Sequence, residues 1–203
     1  MSHKTVVAAV VVAMVAASTW AQAPAPKQPF SAEYVYTMNG EPMAGMSPIK
    51  VAASEQALAV DFGTHGAIVQ FRPGNALVTM LMHGEKSFMN SSMPYDSEDL
   101  QSYFFMMAPP EGYAAACEEG GTACEMVGVE DVAGRPAEHW KMEDPEEGEM
   151  DNWIDVGLGI VVRSTSAEGY GMEARKLSTA KPDGTRWEVP SGSTQAGGEE
   201  WRT

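Results

Sequence analysis

Residues 30–38 read Phe-Ser-Ala-Glu-Tyr-Val-Tyr-Thr-Met. On an extended chain Ala32, Tyr34, Tyr36 and Met38 fall on one side and Glu33, Val35 and Thr37 on the other, a period of two that predicts a half-buried β-strand. Asn39-Gly40 then supplies a turn. The pattern recurs at short spacing. Strands are predicted over 49–53, over 57–62 with Leu58, Val60 and Phe62 on one side, and over 67–72 with Ala67, Val69 and Phe71 facing away from Gln70 and Arg72. Pro73-Gly74-Asn75 turns the chain into 77–82, and Gly84-Glu85 returns it over 86–89. Strands of five or six residues separated by turn residues argue for an antiparallel meander and against alternating β-α-β units.

One helix interrupts the series. Asp96 or Ser97 can cap it, Glu98 and Asp99 favour its positive end, and Leu100, Tyr103, Phe104 and Met107 recur at i, i+3, i+4 and i+7. Pro109-Pro110 stops it. Its single apolar face implies a greasy surface to cover. Further strands are predicted over 125–132, 137–142, 150–154, 159–166 and 172–180, with a last edge segment at 187–190 and a flexible tail over 191–203.

The amino terminus has the three-part plan of an export signal: Lys4, an uncharged run from Thr5 to Ala17, and Ala21-Gln22-Ala23 as the exit. That run is too short to span a bilayer, which takes roughly 20 residues. Cleavage is expected after Ala23, leaving a Pro-rich leader over 24–29, one β domain over 30–190 and the tail. No Cys stands near the cut to carry a lipid anchor, so a soluble periplasmic or secreted protein is expected. The chain carries 13 basic and 28 acidic residues. A chain this acidic lacks the Lys/Arg clusters that neutralise phosphates and is repelled by anionic headgroups, so neither nucleic acid nor stable membrane insertion is expected, and a monomer is. Cys117 and Cys124 enclose Glu-Glu-Gly-Gly-Thr-Ala. An even pair this close in an oxidising compartment reads as a structural disulfide, rather than a redox pair, which is usually Cys-x-x-Cys, or a zinc site, which needs four ligands.

Two hairpins carry a resemblance. Val127-Gly-Val-Glu-Asp-Val-Ala-Gly134-Arg-Pro-Ala-Glu-His-Trp140 is followed by Trp153-Ile-Asp155-Val-Gly-Leu158-Gly-Ile-Val-Val-Arg163, and Trp187-Glu-Val-Pro190 closes the series. Together they resemble an uncharacterised bacterial envelope domain built like the lipoprotein carriers LolA and LolB, over residues 30–190 and most strongly over 125–190. The resemblance implies a curved, half-open antiparallel β-barrel with one or a few covering helices, whose concave side shelters an apolar ligand such as a lipid or acyl chain. On that reading Tyr34, Tyr36, Phe62, Phe71, Met80, Met82, Leu100, Phe104 and Met107 line the concave face, and the helix acts as a lid.

Methionine is the outlier in composition: nine of the 15 lie between Met38 and Met107. Core filling is the default reading, with Met80 and Met82 on one strand face. Lining of a surface for varied apolar ligands is the second. Copper is the third, since thioethers are soft ligands, and Met43 and Met46 beside Pro42 and Gly45 form the best candidate loop. The acidic run 143–151 fits no calcium loop spacing and reads as a solvated hairpin tip. His65, His83 and His139 are scattered, and neither a zinc-protease His pair nor a nucleophile elbow nor a phosphate-binding glycine loop occurs. No enzyme activity and no cofactor are expected. Asp155 and Arg163 read as a turn cap and a cross-strand ion-pair partner. The alternatives to ligand binding are a copper-binding protein and an envelope interaction module whose concave face is core.

Overall fold

The computed structural model describes residues 26–108, 112–120, 123–144 and 148–196. The expected signal peptide lies outside the described residues, as do parts of the leader, the acidic run and the tail. The predicted meander is present as one sheet of thirteen strands that curls but does not close. Its strands are β1 (Phe30–Met38), β2 (Glu41–Pro42), β3 (Ile49–Ala53), β4 (Ala57–Asp61), β5 (His65–Arg72), β6 (Asn75–Met82), β7 (Ser87–Met93), β8 (Ala123–Val132), β9 (Arg135–Asp144), β10 (Gly148–Asp155), β11 (Val161–Ser166), β12 (Tyr170–Ser178) and β13 (Thr194–Gln195). The spatial order is β13-β7-β6-β5-β4-β3-β1-β12-β11-β10-β9-β8, with β2 folded back on β1. The first strand of the chain therefore sits in the middle of the sheet. β1 pairs with β3 on one side and with β12 on the other, Tyr34 lying opposite both Ile49 and Ala174.

Turn chemistry fixes the register of the hairpins. Asn39 and Gly40 both adopt positive φ, 52° and 83°, between Met38 and Glu41, and Ala133-Gly134 does the same between β8 and β9 at 54° and 78°. Two left-handed residues in a two-residue loop match the right-handed twist of the flanking strands. In the second loop the Asp131 carboxylate accepts from the Gly134 N–H at 3.0 Å. Irregularities in register at Ser31/Glu33, Met126/Gly128 and Trp153/Ile154 add the local bends that coil a sheet.

The inner face holds the main core: Phe30, Ala32 and Tyr34 of β1, Val51 of β3, Leu58 and Val60 of β4, Val69 of β5 and Val78 of β6. The segment between β7 and β8 plugs it. There the structure departs from the expected continuous helix. A four-residue α1 (Glu98–Gln101) gives way to a 3₁₀ turn at Ser102–Phe104 and then to irregular chain. The Ser97 hydroxyl accepts from the Leu100 N–H at 3.2 Å, so the expected cap is present. The apolar spacing is satisfied by this tighter coil, and Leu100, Phe104, Met106 and Met107 are all buried. A second helix, α2 (Tyr113–Gly120), stands where the sequence predicts none. Tyr113 packs with Met142, Ile154 and Val161 in a smaller cluster. Cys117, one turn further along α2, bonds Cys124 at the start of β8.

The carboxyl-terminal segment also differs from expectation. Residues 187–190 are not a strand. Asp183 accepts from the Thr185 N–H at 2.9 Å and caps a 3₁₀ turn at Gly184–Trp187. The chain then crosses the outer side of β3 to β6, where Ala52, Ile68 and Leu81 are buried. Within the stretch expected as tail, Thr194 and Gln195 pair in parallel with Ser87 and Phe88 of β7. The strap thus covers one edge of the sheet.

Asp155 is the buried polar anchor of the β10–β11 connection. It is fully buried, ion-paired with the Arg135 guanidinium, and accepts from the Leu158 N–H at 2.7 Å. The hydrogen bond to Asp155 holds the Arg135 guanidinium above its ordinary range. Arg163 pairs across strands with Glu173 at 3.1 Å. Both agree with the sequence reading of these residues. Asp155→Ala leaves a guanidinium without its acceptor and a buried turn N–H unsatisfied. It is expected to lower unfolding free energy in urea by about 3 kcal/mol. A loss under about 1 kcal/mol would show that the pair does not anchor the turn.

Candidate functional site

The sheet places Tyr34, Tyr36, Phe62, Phe71, Met80 and Met82, the predicted concave-face residues on or just beyond its strands, on the same side. Val51, Val60, Ala67 and Met80 stand opposite one another across β3 to β6, as do His65 and Met82, so the alternation runs unbroken into the core. Tyr34 is buried, and its hydroxyl donates to the Val161 carbonyl at 2.9 Å. Burial pushes its phenol above the ordinary tyrosine range, and the charge on Asp155 adds to the shift. Tyr36, Phe62, Phe71 and Met80 are half-buried against the main cluster, which Leu100, Phe104 and Met107 complete from the plug. Phe71 and Phe104 have ring centroids 6.0 Å apart, and Phe62 stacks on His65 at 4.8 Å. Met82 shares the face by register but lies outside that cluster. The other eight expected residues form one apolar body.

The sequence reading missed Met93, Tyr95, Tyr103 as a rim residue, Phe105 and Met106. Phe105 stands edge-on to Tyr34, centroids 6.0 Å apart. Tyr95 clamps the β5–β6 turn, donating to the Arg72 carbonyl at 2.8 Å and accepting from its N–H at 3.0 Å. Phe105 and Met106 fall off the helical stripe used to find the others, and only a non-helical coil brings them inward. The half-buried side chains Tyr36, Phe62, Phe71, Met80 and Met93 of the sheet, with Tyr103 and Phe105 of the plug, pack against the main cluster as an apolar rim not sealed from solvent. Desolvation raises the phenols of Tyr36 and Tyr103 as well.

The outer face differs in chemistry. Register sets His139, Trp153, Arg163, Glu173 and Val35 in one row across β9, β10, β11, β12 and β1. His139 places Nδ1 3.0 Å from Glu130 and Nε2 2.6 Å from Asp151, and stacks on Trp153 at 4.3 Å. Arg163 lies over the Trp153 ring at 5.3 Å. With both ring nitrogens engaged by carboxylates, His139 serves as a cross-strand tie. Among the described residues no group of three or more His, Cys, Asp or Glu is arranged to hold a metal ion. A cavity of about 170 Å³ lies under the carboxyl-terminal strap, with Lys50, Asp61, His83, Arg186 and Glu188 at its polar edge and Ala52, Ile68 and Leu81 beneath. It is on the opposite side of the sheet from the apolar body, and it is smaller than the roughly 300 Å³ at which pockets begin to enclose drug-sized ligands.

No protein-family model matches the chain, and no curated protein matches it. Solved structures align with it. An uncharacterised conserved protein from Thermus thermophilus is 9% identical, with 84% of this chain covered, 90% of that one and a TM-score of 0.51. PNGF-II is also 9% identical, with 83% of this chain covered and a TM-score of 0.50, but the match spans only 31% of its length. A domain from Vibrio parahaemolyticus described as outer membrane lipoprotein-sorting is 9% identical over 79% of this chain and 90% of that one, at a TM-score of 0.30. At such identities likeness shows the fold alone, and the first two carry it.

The Trp153 indole N–H donates to Glu130 at 3.0 Å, and this bond, with His139 and Arg163 nearby, holds the Glu130 carboxyl below its usual range. A lowered value favours the ionised form in the fold. The contribution is complete above the usual glutamate range and is lost only as pH falls through the lowered value. The Trp153 indole N–H resonance, followed by NMR, is expected to titrate with a midpoint below that of a free glutamate and to lose that transition in Glu130→Gln. A midpoint at or above the free value would contradict the assignment.

Proposed function

We propose that this protein is a binding module of the bacterial cell envelope that shelters an apolar chain, a lipid or acyl group, on the inner face of its curled sheet beneath residues 98–108. The observation that carries the proposal is the unsealed rim. Phe62, Phe71 and Met80 of the sheet and Phe105 of the plug remain half-buried beside the buried Leu100, Phe104, Met106 and Met107, which leaves apolar surface for an occupant to cover. The plug is tied to the sheet at its end, by Val161 N–H to the Met106 carbonyl at 2.7 Å and Ala108 N–H to the Gly159 carbonyl at 3.0 Å. Its first turn, with Leu100 and Phe104, would swing on that tether, and a ligand would replace the contacts it gives up. Affinity would come from apolar burial at roughly 25 cal/mol per Å², less the cost of ordering the lid. Flexible Met80 and Met93 suit an occupant of variable shape.

The module is exported to the periplasm or beyond. The Cys117–Cys124 disulfide supports this, because such bonds persist in oxidising compartments. Among the described residues no helix is long and apolar enough to cross a membrane. The module binds without covalent chemistry and needs no cofactor.

Native mass spectrometry of the mature protein, purified without detergent and then offered a long-chain fatty acid, tests the proposal. The expected result is a one-to-one adduct of lipid mass that Phe104→Glu abolishes and that Phe71→Ala, at the half-buried rim, weakens about tenfold with the fold intact by circular dichroism. Absence of any adduct on folded wild-type protein would overturn the proposal. A Cu(I) adduct lost on Met43→Leu and Met46→Leu would replace it with the copper reading.

A further inference from the structure

One edge of the sheet is covered by the chain's own strap, and among the described residues no strand pairs with the other. Among the described residues β8 pairs as a strand with β9 alone, and it ends the spatial order of strands. It runs for ten residues, of which only Val132 is buried. Of its other nine residues Cys124 and Gly128 are partly buried and the remaining seven are exposed. Met126, Val127 and Val129 are 45%, 49% and 58% exposed, three of the five large apolar residues that the described chain leaves to solvent. Long, bare, apolar edge strands are templates for pairing with another chain, and proteins usually blunt them with charge, Pro or a covering element. Here such an element covers β7; among the described residues none covers the edge of β8, which carries only exposed acids and one irregularity of register.

The charge around this edge selects the occupant. Residues 123–155 contain eleven acidic and two basic residues, Arg135 and Lys141, so most of the net charge of −15 is concentrated in three strands and their connections. Arg135 is already committed to Asp155. Glu125, Glu130 and Asp131 are exposed on β8 itself. A second copy laid against this edge would set acid beside acid and is disfavoured. Val127 has no partner on β9, because the register slips there between Met126 and Gly128. The bulge leaves an extra backbone unit unpaired in the middle of the strand.

We propose that β8 is a docking edge for an extended segment of another protein, one that alternates apolar and basic residues and adds to the sheet as a further strand. Main-chain bonds to the open edge would supply affinity, and the alternating side chains would supply specificity: apolar ones on the face of Met126 and Val129, basic ones on the face of Glu125 and Glu130. The surface is distinct from the apolar body beneath residues 98–108, so either can operate without the other.

A labelled ten-residue peptide alternating Val and Lys, titrated against the whole mature protein by fluorescence anisotropy, tests the proposal. Binding is expected to weaken with added salt, to slow hydrogen exchange of the amides over 125–131, and to fall about tenfold in Val129→Lys. Val156→Lys, at an exposed apolar residue off the strand, is expected to bind as wild type does. The same peptide with two of its Val residues replaced by Pro keeps the length and charge but cannot pair, so it should fail. The proposal is overturned if no binding is seen at about 1 mM peptide, if the Pro-containing peptide binds equally well, or if sedimentation shows the free protein forming a concentration-dependent dimer that itself protects β8.

Discussion

A single curled sheet has an inner face that no second sheet covers, and everything else in this structure follows from how that face is closed. Two apolar layers are the minimum for a domain, and here the second layer is barely more than one turn of helix and a few irregular residues. Leu100, Phe104, Met106 and Met107 supply it. Burying a side chain of this size contributes about 2 kcal/mol. Together these side chains therefore reach the order of an entire domain's net stability. The plug is a small fraction of the chain, yet removing it would expose the core of the whole sheet. Its far end is fastened to the sheet by the backbone bonds at Met106 and Ala108, and Ser97 caps its first turn from within.

Polar chemistry is sorted to the other face and to the connections. The His139–Trp153–Arg163–Glu173 row ties β9 to β12 across the outside with hydrogen bonds, a stacked pair and ion pairs, each partly in solvent and individually weak. The Arg135–Asp155 pair is the exception, since its carboxylate is wholly buried. It links the β8–β9 turn to the β10–β11 turn, and the two hairpins that carry the family resemblance are thereby locked together. The motif residues Gly134-Arg135 and Asp155-Val-Gly-Leu158 are spaced as they are because one side chain must reach from the first turn into the second.

The alternation of Tyr34, Tyr36, Phe62, Phe71, Met80 and Met82 was legible because a period of two survives every turn in the amino-terminal half. Once one strand faces inward, the two-residue and short loops fix the rest. The covering element was legible only as an apolar stripe. Leu100, Tyr103, Phe104 and Met107 read as helix, but short helix followed by 3₁₀ turn satisfies the same spacing, and sequence periodicity does not separate the two. Phe105 and Met106 were hidden for that reason. Helix α2 had a signal that went unused: Tyr113 and Cys117 at i and i+4 about three alanines, the best helix formers. The segment at 187–190 looked like a strand by composition. Asp183 at the cap position and Gly184 were the stronger signals, and the parallel pairing of Thr194 with Ser87 joins residues so distant in sequence that no local pattern announces it.

The central position of β1 has a consequence for when this chain can fold. Its partner on one side is the neighbouring β3, but on the other it is β12, residues 170–178. Among the described residues the two halves of the sheet pair as strands only at that seam, and the covering plug rests on both, touching β1 through Phe105 and Tyr34 and the far half through Met107 and Ile160. A growing chain can form the β3 to β7 meander by itself, since each pairing there closes a short loop. It has no complete core until β12 has left the ribosome or emerged from a translocation pore. Contacts this far apart in sequence make for slow closure. The architecture thus keeps the polypeptide open and threadable through synthesis, and it completes itself only after almost the whole length has arrived in one compartment.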